Sequence, residues 1–402
     1  MKKATYILFT IFIFWACQKV DPISPTPELS MNYGELVEDT LYVTADSFVI
    51  NERVNTFNSP KLSIGNYKNF EAAILLKFFD LPDSGSIVDS MAIEFSTLGK
   101  LGEASGDMTV SIYKVEEEWT TSANTKDEWH TYMPTTEIST IQISSEDSTR
   151  IKFTITDTTL INEWVSAGLY NKGLYLKCSN PEINYIREIA SSDYSDIDSL
   201  APQITIRYWD DEDSVFVTDT SYYALDATIF DNRGSTIFSD AQSRNELLVA
   251  SGIGARTYLE FDSLSTLPNN ILLQKAELLI PVWDEDFELQ EQKNSFDNQN
   301  DSQNFYVNVL TNISIAELDT AYLYYVTLVN SDSLVKTKST SDQARIGKYF
   351  IQDNVNGSIK SNWFSIQYQN EGQDLSIKRF KRTADNPARL ILKYFKVEQS
   401  GF

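Results

Sequence analysis

Apolar and polar side chains alternate along most of this chain, and the β-strand is the regular element with that two-residue period. The alternation is clear at Thr109–Val115, Ile151–Ile155 and Phe305–Leu310. Polar, Asn-, Asp-, Ser- or Gly-rich breaks separate such runs about every ten residues. Alternation buries one face of a strand and exposes the other, as sheets packed face to face require. The pattern therefore predicts an all-β chain built from antiparallel β-sandwiches.

The second half of the chain repeats the pattern of the first half after roughly 175 residues, far beyond the period of a solenoid. The matching segments are 38–48 with 212–222, 75–81 with 258–264, and 202–208 with 387–394. A repeat of this length predicts two tandem domains, each a jelly-roll-like sandwich. One helix is expected at Asp157–Val165, where Leu160 and Trp164 share a side and Asp157 or Thr158 caps the N-terminus.

These patterns divide the chain into four parts. We expect a signal peptide over 1–16, a lipidated cysteine and extended linker over 17–37, and sandwiches over 38–210 and 211–397. The seam between the sandwiches is placed at the acidic run Asp210–Asp213. The predicted fold class is thus all-β: two tandem jelly-roll-like antiparallel β-sandwiches after a lipoprotein signal peptide and linker.

The N-terminus has the composition of a bacterial lipoprotein signal. Lys2 and Lys3 precede an apolar run from Tyr6 to Ala16 that is too short to span a bilayer, and Cys17 follows. This segment resembles a lipobox, which implies that Cys17 carries diacylglycerol and an amide-linked fatty acid such as palmitate. The Pro-containing segment behind it predicts a spacer, an arrangement similar to Bacteroidota-type surface lipoproteins. An ordinary signal peptide cleaved elsewhere and an uncleaved anchor are the alternatives.

Composition excludes several classes of function. A net charge of −24 over 402 residues disfavours binding to nucleic acid. One histidine, His130, and two cysteines cannot build a His/Cys zinc site. Neither a phosphate-binding glycine loop nor a G-x-S-x-G motif occurs, and we expect no catalytic activity. Cys178 lies in an alternating run and is expected to be buried and inert.

The first half resembles the DNRLRE domain, a β-sandwich carried by many bacterial surface and carbohydrate-active proteins. The resemblance is carried by 59–66, 77–82, Trp119 and Trp129, 156–164, and the N-x-G-L-x-L segment 171–176. The second half matches more weakly: its tryptophans are Trp283 and Trp363, and it has no N-x-G-L strand. The resemblance implies a sandwich fold and, because some relatives are carbohydrate-binding modules, a glycan ligand.

Two groups of residues are candidate ligand sites. Trp119, Trp129 and Tyr132 are aromatic residues on which the apolar face of a sugar ring would stack, and the alternative is that they belong to the core. The basic segment contributes Lys378, Arg379, Lys381 and Arg382. As one alternative, these cations would attract a uronic-acid polymer or a lipid headgroup surface. As the other, they lie on a solvated strand, where they pair with neighbouring acids and protect a sheet edge.

No cofactor is expected. The acidic segments Asp297–Asp301, Ser192–Asp198 and Asp210–Asp213 contain oxygen ligands for Ca²⁺, but Ser302 and Asn308 stand where an EF-hand needs Gly and Glu. A structural calcium ion in one of these loops and a plain turn are the alternatives.

The sequence predicts a lipid-anchored protein of the outer membrane, exposed on the cell surface, whose sandwiches bind a glycan or another extracellular polymer without catalysis. The membrane, through the lipid, and a polysaccharide or surface protein are the expected partners. A structural or adhesive protein is the first alternative, and a polysaccharide lyase or hydrolase is the second. A glycan binder should present an exposed aromatic platform with polar neighbours, whereas a spacer should bury its tryptophans.

Overall fold

The computed structural model describes the chain from Tyr33 to Val397, with internal gaps. The described ranges are 33–50, 56–57, 59–82, 86–102, 106–119, 136–146, 149–155, 157–167, 171–194, 200–231, 234–252, 254–282, 304–309, 326–331, 334–337, 339–358, 361–369, 371–372, 375–382 and 386–397.

Strands dominate both halves of the chain, which confirms the all-β prediction. The strands of the first half are β1 Tyr33–Tyr42, β2 Ala45–Ile50, β3 Lys61–Tyr67, β4 Phe70–Phe78, β5 Ile87–Leu101, β6 Met108–Lys114, β7 Glu137–Ile143, β8 Arg150–Ile155, β9 Leu174–Cys178, β10 Tyr185–Ala190 and β11 Gln203–Asp210. Those of the second half are β12 Val215–Ser221, β13 Ala224–Asp231, β14 Glu246–Ala250, β15 Ala255–Glu260, β16 Ile271–Pro281, β17 Asn304–Val309, β18 Val326–Ser331, β19 Leu334–Thr337, β20 Trp363–Tyr368, β21 Ile377–Lys381 and β22 Arg389–Val397.

Short helices connect some of these strands. They are α1 Thr158–Ala167, α2 Ile237–Ser243, a 3₁₀ helix Asp262–Thr266, α3 Thr340–Arg345, a π-helix Ile346–Gln352 and α4 Asp353–Val355. The predicted helix at Asp157–Val165 is confirmed. The Asp157 carboxylate accepts hydrogen bonds from the backbone N–H groups of Thr159 (3.0 Å) and Leu160 (3.4 Å), so Asp157 is the N-cap. Trp164 is buried in the sandwich core.

The two halves pair their strands in the same way, which explains the internal repeat. In the described part of the chain, one sheet has the order β12-β11-β5-β10-β3-β4-β9-β6-β7, with β13 on β4 and β8 on β5. The other has the order β1-β22-β16-β19-β18-β17-β20-β15-β14-β21, with β2 on β15. β12 pairs with β11 as β1 pairs with β22, and β13 pairs with β4 as β2 pairs with β15.

The sheets do not divide at residue 210, where the sequence placed the seam. The hairpin β1–β2 is the first described element but completes the sheet of the second half. The hairpin β12–β13 lies beyond the acidic run but completes the first sheet. We call these the exchanged hairpins. The linker predicted for 17–37 is also shorter than expected, because β1 begins at Tyr33 and Val37 packs on the second core. In the structure the turn 43–44 is equivalent to the turn 222–223. The sequence match of 38–48 with 212–222 would instead align 43–44 about five residues earlier in the second copy.

The acidic run is a hairpin turn rather than an interdomain linker. The Asp210 carboxylate accepts hydrogen bonds from the backbone N–H groups of Glu212 (2.9 Å) and Asp213 (3.4 Å), and Ser214 has a positive φ of 52°. Asp at the start of a turn satisfies backbone donors in this way, so β11 reverses directly into β12. Charge and turn composition are shared by tight turns and linkers, which is why the sequence favoured a seam here.

Each sheet closes around its own apolar interior, and a third cluster joins them. Among the described residues, 27 buried side chains form each of the two main cores. The third cluster combines Tyr67, Phe70 and Ile186 of the first sandwich with Leu248 and Ile377 of the second. Each main core is formed by the strands of one sheet together with the helices that pack on them, and the third cluster packs the two sheets directly against each other.

The N-terminal predictions lie largely outside the described residues. The signal peptide 1–16, Cys17 and the spacer up to residue 32 are in this group. Among the described helices, none has the length and apolar character needed to cross a bilayer. Cys178 is half-buried against the first core, and burial is the main cause that raises the pKa of its thiol, which disfavours the reactive thiolate.

Candidate functional site

Of the aromatic residues that the sequence grouped together, the structure describes only Trp119. Trp129 and Tyr132 lie outside the described residues. Trp119 is buried, its ring centroid is 5.8 Å from that of Phe57, and its indole N–H donates to the Lys172 carbonyl at 2.7 Å. An indole with both its face and its polar atom satisfied inside the protein has no surface for a sugar ring, so Trp119 is a core residue.

The basic strand is neutralised by neighbouring acids. Arg379 lies 3.3 Å from the Glu246 carboxylate on β14, and Arg382 lies 2.9 Å from the Asp46 carboxylate on β2. Lys378, Arg379, Lys381 and Arg382 are all half-buried in or beside β21. Ion pairing of two of these four side chains favours the alternative stated above, a strand whose charges pair with acids, over a cationic surface for an anionic polymer.

An exposed aromatic cluster lies where the exchanged hairpin β12–β13 meets the end of β4. Phe79, Tyr222 and Tyr223 form what we call the aromatic ledge. The Phe79 and Tyr223 rings are in contact, with centroids 5.0 Å apart and planes inclined at 44°. Tyr222 and Tyr223 are 40% and 63% exposed, the latter among the most exposed large apolar side chains described.

A cavity of about 420 Å³ opens beside the ledge. Its lining consists of Asp80, Asp219, Thr220, Ser221, Tyr222 and Tyr223. Carboxylate, hydroxyl and phenol groups therefore border an aromatic surface. Lys77 brings a cation close to the ledge: its ammonium lies 5.7 Å from the Phe79 ring centroid and 3.4 Å from the Glu118 carboxylate. The site thus combines stacking surface with hydrogen-bonding groups and an excess of negative charge.

Backbone and hydroxyl hydrogen bonds hold the ledge in place. The Phe79 N–H donates to the Tyr223 carbonyl at 2.9 Å, and the Ser221 hydroxyl donates to the Phe79 carbonyl, also at 2.9 Å. The Tyr223 N–H in turn donates to the Ser221 hydroxyl oxygen at 3.2 Å. Asp80 takes a positive φ of 54°, which turns the chain away just after Phe79. A site fixed by its own backbone is already organised before a ligand arrives, which lowers the entropic cost of binding.

The N-x-G-L segment supports the ledge from below. The Asn171 side-chain amide donates to the Phe78 carbonyl at 2.7 Å, and its oxygen accepts from the Gly173 N–H at 3.1 Å. Gly173 has a φ of +94°, and a Cβ there would lie 2.4 Å from the Leu76 carbonyl oxygen. This segment therefore fixes the end of β4 from which Phe79 projects.

The corresponding turn of the second sandwich has no aromatic pair. Val43 and Thr44 stand in the position of Tyr222 and Tyr223. The Thr44 hydroxyl donates to the Glu260 carbonyl at 3.1 Å and accepts from the Asp262 N–H at 3.2 Å. The turn is equally well tied, but it offers hydroxyl bonding without a stacking surface. The ledge is specific to the first sandwich.

Sequence reasoning missed the ledge because its parts are 143 positions apart in the chain, from Phe79 to Tyr222. One local signal was present. Consecutive residues of a strand point to opposite faces, so adjacent tyrosines beside an alternating run place at least one ring outside the core. Without the pairing of β13 with β4, nothing connected these tyrosines to Phe79.

The buried carboxyl of Asp226, three residues beyond the ledge, should make the stability of the fold depend on pH. The pKa of this carboxyl is raised to about 7, mainly because burial removes it from water. A hydrogen bond from the Ser192 N–H at 2.7 Å acts in the opposite direction and lowers the pKa, whereas the negative charge of nearby Asp193 raises it. The folded chain holds this proton where the unfolded chain, with a pKa near 3.8, has lost it. This contribution to stability is therefore complete below about pH 4 and is lost as the pH rises through about 7.

Asp226→Asn removes the charge and keeps the size. We expect its free energy of unfolding, relative to the natural chain, to rise by on the order of 2–4 kcal/mol between about pH 5 and pH 8. Urea unfolding at the two pH values measures this difference. Asp211→Asn on the exposed hairpin turn changes the same charge and serves as control. A difference for Asp226→Asn that is flat with pH, like that of the control, would contradict the assignment.

No group of three or more His, Cys, Asp or Glu residues suited to a metal ion occurs in the described part of the chain. Asp210–Asp213 forms the turn described above, whereas Asp297–Asp301 and part of Ser192–Asp198 lie outside the described residues. Comparison of the sequence with protein-family models and with curated proteins finds no match.

Proposed function

We propose that this chain binds a glycan non-catalytically through the aromatic ledge. The observation that supports the proposal is the exposed Tyr223 ring, packed on half-buried Phe79, beside a cavity lined by hydroxyl and carboxylate groups. Sugar rings present apolar C–H faces and a rim of hydroxyls, and they need stacking surface and hydrogen-bonding groups side by side. The ledge meets the criterion that the sequence analysis set for a glycan binder.

The charge of the site favours an uncharged glycan. Asp80 and Asp219 line the cavity, and none of the described residues that line it is Lys or Arg. A uronic-acid polymer would bring like charges together there, and a net charge of −24 adds to that repulsion. Sugar hydroxyls, in contrast, donate well to carboxylates.

The alternatives need features that the ledge does not offer. A hydrolase or lyase requires acids that converge in a deep cleft, whereas the two carboxylates here border an open surface cavity. A structural protein that binds a protein partner remains the second candidate, because the third apolar cluster couples the sandwiches into a spacer-like unit. We further propose that Cys17, when acylated, anchors this unit to the outer membrane with the ledge facing outward.

A glycan array with the soluble chain from residue 18 tests the proposal. We expect binding to one or more neutral polysaccharides, and Tyr223→Ala should weaken that binding about tenfold or more, since loss of the ring removes about 1.4 kcal/mol of stacking. Tyr42→Ala is the matched control, because Tyr42 is an exposed tyrosine, 52% accessible, on the equivalent hairpin of the second sandwich. No binding to any neutral polysaccharide, or equal loss in both variants, would contradict the proposal.

A further inference from the structure

A second aromatic pair, half-buried Trp209 with exposed Phe216, lies at the other end of β12. The rings of Trp209 and Phe216 are 5.1 Å apart and nearly perpendicular, at 75°. Trp209 is in register with Phe216 on one side and with Ile87 of β5 on the other, so the three side chains form a row across the sheet. Phe216 and Ile87 are 49% and 62% exposed. This row is an apolar surface that the proposed ledge does not use.

β12 connects this row to the ledge. Phe216, Thr218 and Thr220 alternate along one face of β12, and Tyr222 follows Ser221 at its end. Six residue steps in a strand span about 20 Å, which is the separation between the two aromatic sites. β12 is the terminal strand in its sheet order within the described chain, so its outer side is not covered by a further strand there.

The surface between the two sites carries threonine hydroxyls and one exposed ion pair. The Thr205 and Thr220 hydroxyls are 3.2 Å apart, and Thr218 is exposed. Arg207 is paired with Asp89 at 3.2 Å, and its guanidinium carbon lies 4.8 Å from the Phe216 ring centroid. We call the outer side chains of 205, 207, 209, 216, 218 and 220 the β12 strip. Its chemistry suits the hydroxyls of a neutral sugar chain better than an ionic or an entirely apolar partner.

We infer that the β12 strip binds an extended, uncharged polysaccharide, with the ledge and the Trp209–Phe216 row as aromatic subsites at its two ends. The inference rests on the proposed function, because the same polymer occupies the ledge. Two subsites on one ligand raise the affinity for the polymer above that for a fragment that reaches only one of them. The affinity should therefore rise with the length of the polysaccharide and should not depend on a free chain end.

The experiment compares a neutral β-glucan, a galactomannan and a xylan with the disaccharides derived from each, titrated against the soluble chain from residue 18. We expect the disaccharide to occupy the ledge. Trp209→Ala should therefore weaken the affinity for the polymer about tenfold and leave the affinity for the disaccharide unchanged. Tyr223→Ala should weaken both. Phe216→Ser repeats the test at a position that is more exposed than half-buried Trp209, so this substitution should disturb the fold less. Circular dichroism verifies that each variant is folded.

The outcomes separate the two proposals. Loss of polymer binding in Tyr223→Ala, with natural affinity in both Trp209→Ala and Phe216→Ser, would overturn the β12 strip and leave the ledge as a single subsite. Absence of saccharide binding in the natural chain would overturn both. Tighter binding of an extended peptide than of any polysaccharide, lost in Phe216→Ser, would also overturn the inference and make the free edge of β12 a protein-binding strand.

Discussion

A circularly permuted chain should fold as stably as the natural chain. The permuted chain begins at residue 51 and runs to Val397, then continues through a four-residue turn copied from 211–214 and ends with residues 33–50. The reason lies in the exchanged hairpins. Tyr33 is in register with Val397 on neighbouring antiparallel strands, as Val215 is with Asp210 across the natural turn. The permuted chain therefore gives the second sandwich the connectivity that the first already has.

Removal of residues 33–50 without reinsertion should unfold the second sandwich. β1 pairs with β22 and β2 pairs with β15 along nearly their whole lengths, and each lost backbone hydrogen bond costs about 1 kcal/mol net. Leu41 is buried in the second core and adds about 2 kcal/mol. The sum reaches or exceeds the 5–15 kcal/mol that stabilises a typical domain.

Calorimetry of the natural, permuted and truncated chains tests both expectations. The permuted chain should keep the unfolding heat of the natural chain, and the truncated chain should lose the part that belongs to the second sandwich. Addition of a peptide of residues 33–50 should restore part of that heat. Retention of the full unfolding heat by the truncated chain would show that the hairpin does not complete the second sandwich.

Gly173→Ala should destabilise the first sandwich by on the order of 3 kcal/mol. The φ of +94° is unfavourable for any residue with a side chain, and the added Cβ would meet the Leu76 carbonyl oxygen at 2.4 Å and its carbon at 3.1 Å. Because these atoms are backbone of the central strand β4, they have little freedom to move. The change also displaces the partner of Asn171, so Phe79 should lose its fixed position.

Urea unfolding of Gly173→Ala against Gly234→Ala measures this effect. Gly234 has no positive φ in the strained range, and its Cβ would be 3.4 Å from the nearest atom, so we expect its substitution to change stability by less than about 1 kcal/mol. Equal unfolding midpoints for the two variants would contradict the packing described for the N-x-G-L segment. Glycan affinity should fall in Gly173→Ala at temperatures where the chain is still folded.

The sequence was sufficient for features that depend on local pattern. Alternation along β6 and β8 predicted strands, and Asp157 ahead of an apolar 3.6-residue period predicted a capped helix. These strand and helix predictions succeed because each compares a residue with neighbours that are close in the chain. The division into two tandem modules, taken from the repeat, stays a prediction.

Features that depend on pairing between distant strands were not predictable in the same way. The segments 38–48 and 212–222 were recognised as copies, but a copy does not reveal which of two equivalent sheet edges it occupies. Asp210–Asp213 has the composition of a linker and of a turn, and only the pairing of β11 with β12 distinguishes them. Likewise, the sequence left open whether Lys378, Arg379, Lys381 and Arg382 form a cationic surface or pair with acids. Ion pairs of Arg379 with Glu246 and of Arg382 with Asp46 favour the second interpretation.

The same exchange explains why the candidate site lies on the first sandwich. Its tyrosines come from a hairpin that the repeat assigns to the second copy, and its phenylalanine comes from the first. The equivalent hairpin β1–β2 carries Val43 and Thr44 at its turn. That turn is held by a hydroxyl at Thr44 instead of one at Ser221, and it has no aromatic pair.

Hydrogen exchange of the soluble chain, with and without a saturating neutral polysaccharide, tests the central claim most directly. We predict slower amide exchange on binding at 77–82 and 219–225, which form the ledge, and no change at the equivalent turn 43–44 of the second sandwich. Protection confined to β21 or to the second sandwich, with the ledge unchanged, would contradict the account.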